Sequence, residues 1–283
     1  MSATSQAAGI AEKMPKSENG SSWWKWLRRI VWLAIVLAAV DGILIEPFWI
    51  EVKHEFIAGG VSAPLKIAEL SDIHARRIGP REEKMFAILE AEKPDLIVVT
   101  GDTLGNTHGD YTIASEVYRR MRAPLGVWVV KGNWENIRQT HGERAIYQEA
   151  GVHLLLNQNA LVRPDVSLIG LDDPYSGAAK PDAAMAGVPE GVYTIALFHS
   201  PAYLATMAGR VNLVLSGHTH GGQIRIPFLR PLWLPRGCGR FVDGWYEEDG
   251  TKMYVTRGLG TSVVPIRFFC RPELTFVTVE PAK

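Results

Sequence analysis

Thiol chemistry is almost absent from this chain. Two cysteines, Cys238 and Cys270, stand among 283 residues, and neither belongs to a Cys-x-x-Cys pair. That excludes a disulfide framework and a thiolate zinc site. Net charge is absent as well: 30 basic side chains are balanced by 30 acidic ones, so no electrostatic footprint for nucleic acid exists. Internal repeats are absent beyond two short donor-x-donor pairs. Outside its N-terminal region the chain keeps about 235 residues, enough for one domain with its own core.

The N-terminus has its own character. Residues 1–22 are polar, rich in small side chains and without periodicity, and read as a disordered tail. Trp23-Trp-Lys-Trp-Leu-Arg-Arg29 follows, then eleven apolar residues from Ile30 to Val40. Asp41 interrupts, and Gly42 to Ile45 lead to Glu46-Pro47. Counted from Ile30 through Asp41 to Ile45, the stretch is sixteen residues, short of the roughly twenty that cross a bilayer. The expected organisation is a tail over 1–22, a membrane anchor or signal segment over 23–45 and one domain over 46–283. A signal anchor, a cleaved export signal with Val36 and Ala38 at its small positions, and twin-arginine export through Arg28-Arg29 all remain open. Four of the nine tryptophans gather here with Lys25, Arg28 and Arg29 in a belt, which speaks against a core helix. Those cations precede the apolar run, so the positive-inside rule puts the N-terminus in the cytoplasm and, if the segment spans, the domain outside. A re-entrant or interfacial helix would leave the domain inside.

The chemistry is concentrated in five short segments: Ser71-Asp-Ile-His74, Thr100-Gly-Asp102, Gly132-Asn-Trp-Glu135, His199-Ser200 and Gly217-His-Thr-His220. Each ends a strand-like apolar run, where open α/β sheets place ligand chemistry. Together they offer Asp72, His74, Asp102, Asn133, His199, His218 and His220, a set of oxygen and imidazole donors that suits Mn, Fe, Zn or Mg. The one-residue spacing in Asp72-x-His74 and His218-x-His220 predicts, for extended backbone, that the donors of each pair share a face. Gly101, Gly132 and Gly217 are expected to permit sharp turns and close approach. Seven donors exceed one tetrahedral site. Two ions sharing a carboxylate would use them all, the arrangement that serves in-line attack at phosphorus.

The order Asp-x-His, Gly-Asp, Gly-Asn-x-Glu, His, Gly-His-x-His resembles that of the calcineurin-like metallophosphoesterases. The likeness runs from about Leu65 to the C-terminus and is nearest the bacterial membrane-anchored branch, through Gly170-Leu-Asp-Asp-Pro174, Phe198-His-Ser-Pro201, Ser216-Gly-His-Thr-His-Gly-Gly-Gln223 and Pro272-Glu273. It implies an α/β four-layer αββα sandwich of two mixed sheets. It implies two divalent metal ions, one on Asp72, His74 and His220, the other on Asn133, His199 and His218, with Asp102 bridging. Asp102, Asn133, Glu135 and His199 are the implied catalytic residues. For substrate it implies the pyrophosphate of UDP-2,3-diacylglucosamine in lipid A synthesis, at the bacterial inner membrane. Alternatives are another lipid or nucleotide diester, or a non-catalytic metal-binding scaffold. The expected partners are a phosphorylated small-molecule or lipid substrate and the membrane, with no nucleic acid and a monomeric chain.

One position departs from the family pattern. Where most members carry a His directly after Gly-Asn, this chain has Trp134. Indole can only donate an N–H and cannot serve as a general acid. Losing such an acid typically costs about 10²- to 10⁴-fold in rate when the leaving group needs a proton. A good leaving group, such as a nucleoside monophosphate or a phenolate, escapes most of that cost. Trp134 is equally readable as an aromatic filling a gap. Arg76 and Arg77 are candidate phosphate clamps or solvated cations, and Glu135 and His141 are reserve proton carriers.

Periodicity predicts strands over 48–57, 65–70, 96–100, 127–130, 166–171, 193–198, 211–215, 253–256 and 274–279, and helices over 81–93, 111–121 and 136–150. The stretch 227–239 combines Pro and Gly breaks with Phe228, Leu229, Leu232, Trp233 and Leu234. It reads either as local packing or as a substrate lip or membrane-contact surface.

Overall fold

A computed structural model describes residues 20–105, 111–138 and 142–282. The chain divides into two compact units at Val40/Asp41. In the first, α1 (Gly20–Val40) takes in the tryptophan cluster as well as the apolar run, and its described side chains are almost all exposed. Its 21 residues span roughly 30 Å at 1.5 Å per residue. Ser22–Phe48 is, among the described residues, the one helical stretch long and apolar enough to cross a membrane.

The second unit starts with a wide helical turn, Asp41–Ile45, and a 3₁₀ turn, Glu46–Phe48. Both are tied to the chain's far end. Gly42 O accepts the N–H of Arg267, and the buried Glu46 carboxylate accepts those of Phe269 and Cys270. The first strand therefore begins at Glu51 rather than Phe48. The remaining elements are β1 (Glu51–Gly59), β2 (Leu65–Leu70), α2 (Pro80–Glu92), β3 (Leu96–Val99), α3 (Thr112–Arg120), β4 (Val127–Val129), α4 (Asn133–Ile137) and α5 (Glu143–Glu149). After these come β5 (His153–Leu154), β6 (Gln158–Arg163), β7 (Val166–Gly170), α6 (Pro181–Met185), β8 (Tyr193–Leu197), α7 (Leu204–Met207), β9 (Leu213–Ser216), β10 (Gly244–Glu248), β11 (Thr251–Val255) and β12 (Glu273–Pro281).

Two six-stranded sheets result, in the orders β1-β12-β2-β3-β4-β5 and β10-β11-β9-β8-β7-β6. Both are mixed: β12 runs antiparallel to β2, and β10 and β6 run antiparallel to their neighbours, while the other pairs are parallel. One apolar cluster (Leu65, Ile67, Leu96, Val98, Ile195, Leu213) lies between the sheets. A second joins the first sheet to α2, α3 and α5 through Met85, Val117 and Tyr147, and a third joins the second sheet to α6 and α7 through Ala184 and Met207. Helix, sheet, sheet, helix is the expected four-layer order. The strands at its centre are covered on both faces, which is why β3 and β8 read as continuous apolar runs.

Two expectations need correction, one helix and the list of strands. The helix expected over 136–150 is two short helices, α4 and α5, with residues 139–141 between them outside the described residues. β5 and β6, at one end of their sheets, and β10, at the other, were not expected. β6 is an edge strand with no buried position, so it lacks an apolar face to betray it, and four of the five residues of β10 are acidic or aromatic.

Candidate metal centre

The parallel strands β2, β3 and β4 of one sheet and β8 and β9 of the other deliver their carboxyl ends to one edge of the sandwich. Register alignments Leu70↔Val99, Val99↔Val129 and Leu197↔Leu215 level those ends. The next few residues of each chain segment carry Asp72 and His74, Asp102, Asn133, His199, and His218 and His220. All seven expected donors meet there.

The backbone that brings them together is not extended, contrary to the expectation from spacing. Asp72 (φ 50), His74 (φ 44), Asp102 (φ 54), His218 (φ 71) and His220 (φ 50) are left-handed. Each such residue costs on the order of 1–3 kcal/mol and persists only when its surroundings impose it. Here they do: Asp72 N donates to Gly101 O at 3.0 Å, His74 N to Asp102 O at 3.0 Å, and Leu259 N to Ser71 O at 3.0 Å. Glycine is needed at two close approaches. A Cβ on Gly132 would overlap the Asp102 carboxylate, and one on Gly217 would overlap Ser71 Oγ.

The donor atoms form two adjacent groups, Asp72 with His74 and His220, and Asp102 with His199 and His218, each within 4.8 Å. Asn133 Oδ1 joins the second group, 3.2 Å from His199 Nε2. A single oxygen, Asp102 Oδ2, lies 3.3 Å from His199 Nε2 and 3.7 Å from His74 Nε2. It reaches both groups.

Three imidazoles are oriented by backbone carbonyls: His74 Nδ1 on Leu104 O at 3.0 Å, His199 Nδ1 on Thr100 O at 2.7 Å and His218 Nε2 on Arg236 O at 2.8 Å. Each bond holds the proton on the outer nitrogen and turns the inner lone pair to the centre. His199 Nε2 and His218 Nδ1 then face one another at 3.0 Å. Two opposed lone pairs at that distance repel unless a cation or proton lies against them. The buried Asp72 Oδ1 accepts no hydrogen bond and faces His220 Nε2 at 3.2 Å, while Asp72 Oδ2 accepts His218 N at 2.8 Å. Orphaned carboxylate oxygen and convergent lone pairs fit divalent cations. The donors are nitrogen and oxygen only; Cys238 and Cys270 are buried and free.

Burial opposes charge here, and the local pairs overrule it at Asp72 and His199 but not at His74. Burial works to raise the Asp72 carboxyl, but His220, His199 and His74 hold it well below the usual carboxylate range. Burial lowers His74 to about 4 despite Asp102. His199 goes the other way, because Asp102 and Asp72 outweigh its burial.

Glu135 is not where a proton carrier would stand. Fully buried, it accepts Asp102 N at 2.8 Å, Gly132 N at 2.9 Å and Leu104 N at 3.0 Å. Burial, then the Asp102 charge, push it up to about 7 against those three donors. It clamps the β3 and β4 loops together. Trp134 is half-buried, its ring centroid 4.8 Å from that of His74 and nearly edge-on, and its N–H of the main chain donates to Asp102 Oδ1 at 2.8 Å. Arg76 Nε donates to Gly105 O at 2.9 Å and so braces the Asp102 loop, and Arg77 is exposed. His141 lies outside the described residues.

Two arginines escaped sequence reasoning. Arg138 lays its guanidinium 4.0 Å from the Trp134 ring centroid, at the margin of the site. Arg267 is wholly buried and donates to the carbonyls of Gly260, Gly258, Arg257 and Cys270, with His220 O at 3.5 Å. Burial pulls its pKa down to about 10. The available signal was its isolation as the one cation in Val263-Val-Pro-Ile-Arg-Phe-Phe269.

Fold and site together define a hydrolase built to hold metal against a phosphoester. Residues 65–222 match the calcineurin-like phosphoesterase family, and the chain belongs to it. It is similar to the uncharacterized metallophosphoesterase YkuE of Bacillus subtilis, 32% identical over 255 residues that cover 83% of this chain and 87% of the relative. Phosphodiesterase YaeI of Escherichia coli is 30% identical over 245 residues, covering 82% and 89%. A zebrafish (Danio rerio) transmembrane protein with metallophosphoesterase domain is 29% identical over 242 residues, 77% of this chain and 54% of that protein. The chain is a metal-dependent phosphoesterase.

Proposed function

We propose that this chain is a dimetal phosphodiesterase or pyrophosphatase that releases acidic leaving groups, with a membrane lipid bearing the scissile bond. Asp72, His74 and His220 would hold one divalent ion, Asn133, His199 and His218 the other, and Asp102 Oδ2 both. When bound, such a pair supplies Lewis acidity and an activated water for attack at phosphorus. The chain's own groups orient the donors through Leu104 O, Thr100 O and Arg236 O, and Glu135 sets the two loops in register.

The observation that carries the leaving-group reading is Trp134. Beside His74 stands an indole with no proton to give in this pH range, and above it a permanent cation, Arg138. A cation neutralises a departing oxyanion without protonating it. Phosphate and nucleotide leaving groups suit that pair; alkoxides do not. A lipid-linked nucleotide sugar of the UDP-2,3-diacylglucosamine kind would meet this requirement, and the name of the Escherichia coli relative supports diester cleavage more generally. The lipid part of the reading is supported by the apolar surface next to His220 and by the apolar N-terminal helix.

The test is a series of aryl and alkyl phosphodiesters of graded leaving-group pKa. Turnover should fall steeply as that pKa rises. Trp134→His should flatten the dependence and raise turnover of alkyl esters, with thermal melts confirming that the fold survives. A wild-type rate indifferent to leaving-group pKa would show that another residue delivers the proton, and the reading would fall.

A further inference from the structure

Next to the metal centre the surface turns apolar. A groove of about 380 Å³ opens beside His220 and is walled by Ile224, Leu232, Trp233, Val263 and Val264. Its walls are tied together, because the Gln223 amide donates to Ser262 O at 3.2 Å and to Val264 O at 2.9 Å. Phe228, past the groove, is entirely exposed, and Val263 in its wall is 77% exposed. Both have left-handed backbone, φ 68 and φ 63, an outlier conformation for a bulky or β-branched residue. Strain that aims apolar side chains into water gains nothing in water.

The apolar surface continues in the other direction. Ile224 bridges to Phe268, and Arg225 N donates to Phe268 O at 2.8 Å. The same 266–270 segment holds the 41–46 turn through Gly42 O and Glu46, and Ile43, Leu44, Ile45 and Trp49 are exposed alongside the exposed Phe269. The strip therefore runs from the rim of the metal centre to residues 43–48, the C-terminal end of the apolar helical stretch Ser22–Phe48. Cations accompany it: Arg230 and Arg236 lie within 224–242, where Arg225 and Arg240 are paired with Asp243 and Glu248, and Arg271 stacks 3.8 Å from the Trp49 ring centroid.

We infer that this strip is a membrane-contact surface occupied by a phospholipid bilayer, seating the groove beside His220 at the lipid interface. Apolar and tryptophan side chains mixed with arginine match the acyl-headgroup boundary and its anionic lipids. Continuity with the end of a membrane-length apolar stretch favours the bilayer over a second copy of the chain. The inference goes beyond the hydrolytic reading and does not depend on it. Its consequence is that substrate reaches the metal centre from the leaflet rather than from solution.

The test places an environment-sensitive fluorophore on the full-length chain at Val263→Cys and, separately, at Leu229→Cys, with Leu161→Cys on the exposed edge strand β6 as the comparison position. Native Cys238 and Cys270 are buried, so labelling is directed to the introduced thiol. Each protein is reconstituted into phosphatidylcholine–phosphatidylglycerol vesicles, and its melting temperature verifies folding. Emission at 263 and 229 should shift to the blue and be quenched by shallow doxyl-labelled lipids several-fold more than at 161. Labels as water-exposed as that at 161 would overturn the inference. So would labels shielded from water but indifferent to doxyl lipids, the signature of protein covering the strip. Because depth and not turnover is read, failure here is distinct from failure of the proposed hydrolysis.

Discussion

Asp102 is the residue on which both donor groups depend, since one of its oxygens reaches each. Asp102→Ala should lose most bound divalent metal and reduce hydrolysis by well over the roughly 10–100-fold typical of outer-shell losses. Asn133→Ala, at the edge of one group only, should lose about half of the metal bound, on the same two-ion expectation. Metal analysis beside turnover separates the two, and unchanged turnover in either variant would overturn the assignment. Glu69 poses a different question. It is buried on β2, both carboxylate oxygens lack partners, and burial followed by Glu273's charge raises its pKa well above the usual value. The sign follows from linkage. A carboxyl raised in the folded state contributes stability fully below its unfolded pKa and loses it as pH rises toward the folded value. Glu69→Gln should therefore raise the melting temperature more at about pH 8 than at about pH 5. Melts of both proteins across that range check it, and equal gains at both ends would mean that Glu69 stays charged.

The segment Arg257–Cys270 is an element without regular structure, and its order comes from Arg267. Its guanidinium gathers four carbonyls of this loop and lies near a fifth, His220 O, behind a metal donor. Lysine carries the charge but only three donors on one atom, without the planar fork. Arg267→Lys should leave at least one buried carbonyl unpaired, at about 1–3 kcal/mol each. Melting temperature should fall by about 2–4 °C per kcal/mol in a unit of this size. Metal affinity should weaken with it, as His220 loses its backing, and Arg267→Lys with wild-type melting and metal affinity would reduce that arginine to a bystander.

Across the whole molecule the decisive boundary is Val40/Asp41. The apolar stretch continues to Phe48 by composition, yet Gly42, Glu46 and Pro47 are buried in the catalytic unit. Removal of residues 1–40 should leave melting and hydrolysis of a water-soluble aryl diester close to those of the full chain. Removal through Phe48 should lower melting sharply, because the N–H groups of Phe269 and Cys270 lose the Glu46 carboxylate and are left unpaired. Differential scanning calorimetry of both truncations decides; equal melting would make the 41–48 turn a passive linker.

The seven donors were legible from sequence because each follows a strand-like apolar run and metal chemistry restricts the residue types. The layered fold was legible because its central strands are buried on both faces. What tertiary structure alone decided lies where local pattern carries no signal. Left-handed backbone at Asp72, His74, Asp102, His218 and His220 is imposed by long-range hydrogen bonds, so spacing along an extended strand misjudged how the pairs converge. Glu135 became a clamp because three backbone N–H groups from two loops meet its carboxylate. The apolar strip depends on chain segments more than 200 residues apart in sequence, Glu46 to Cys270 being 224 apart. No window along the sequence spans such a distance; packing brings those segments together.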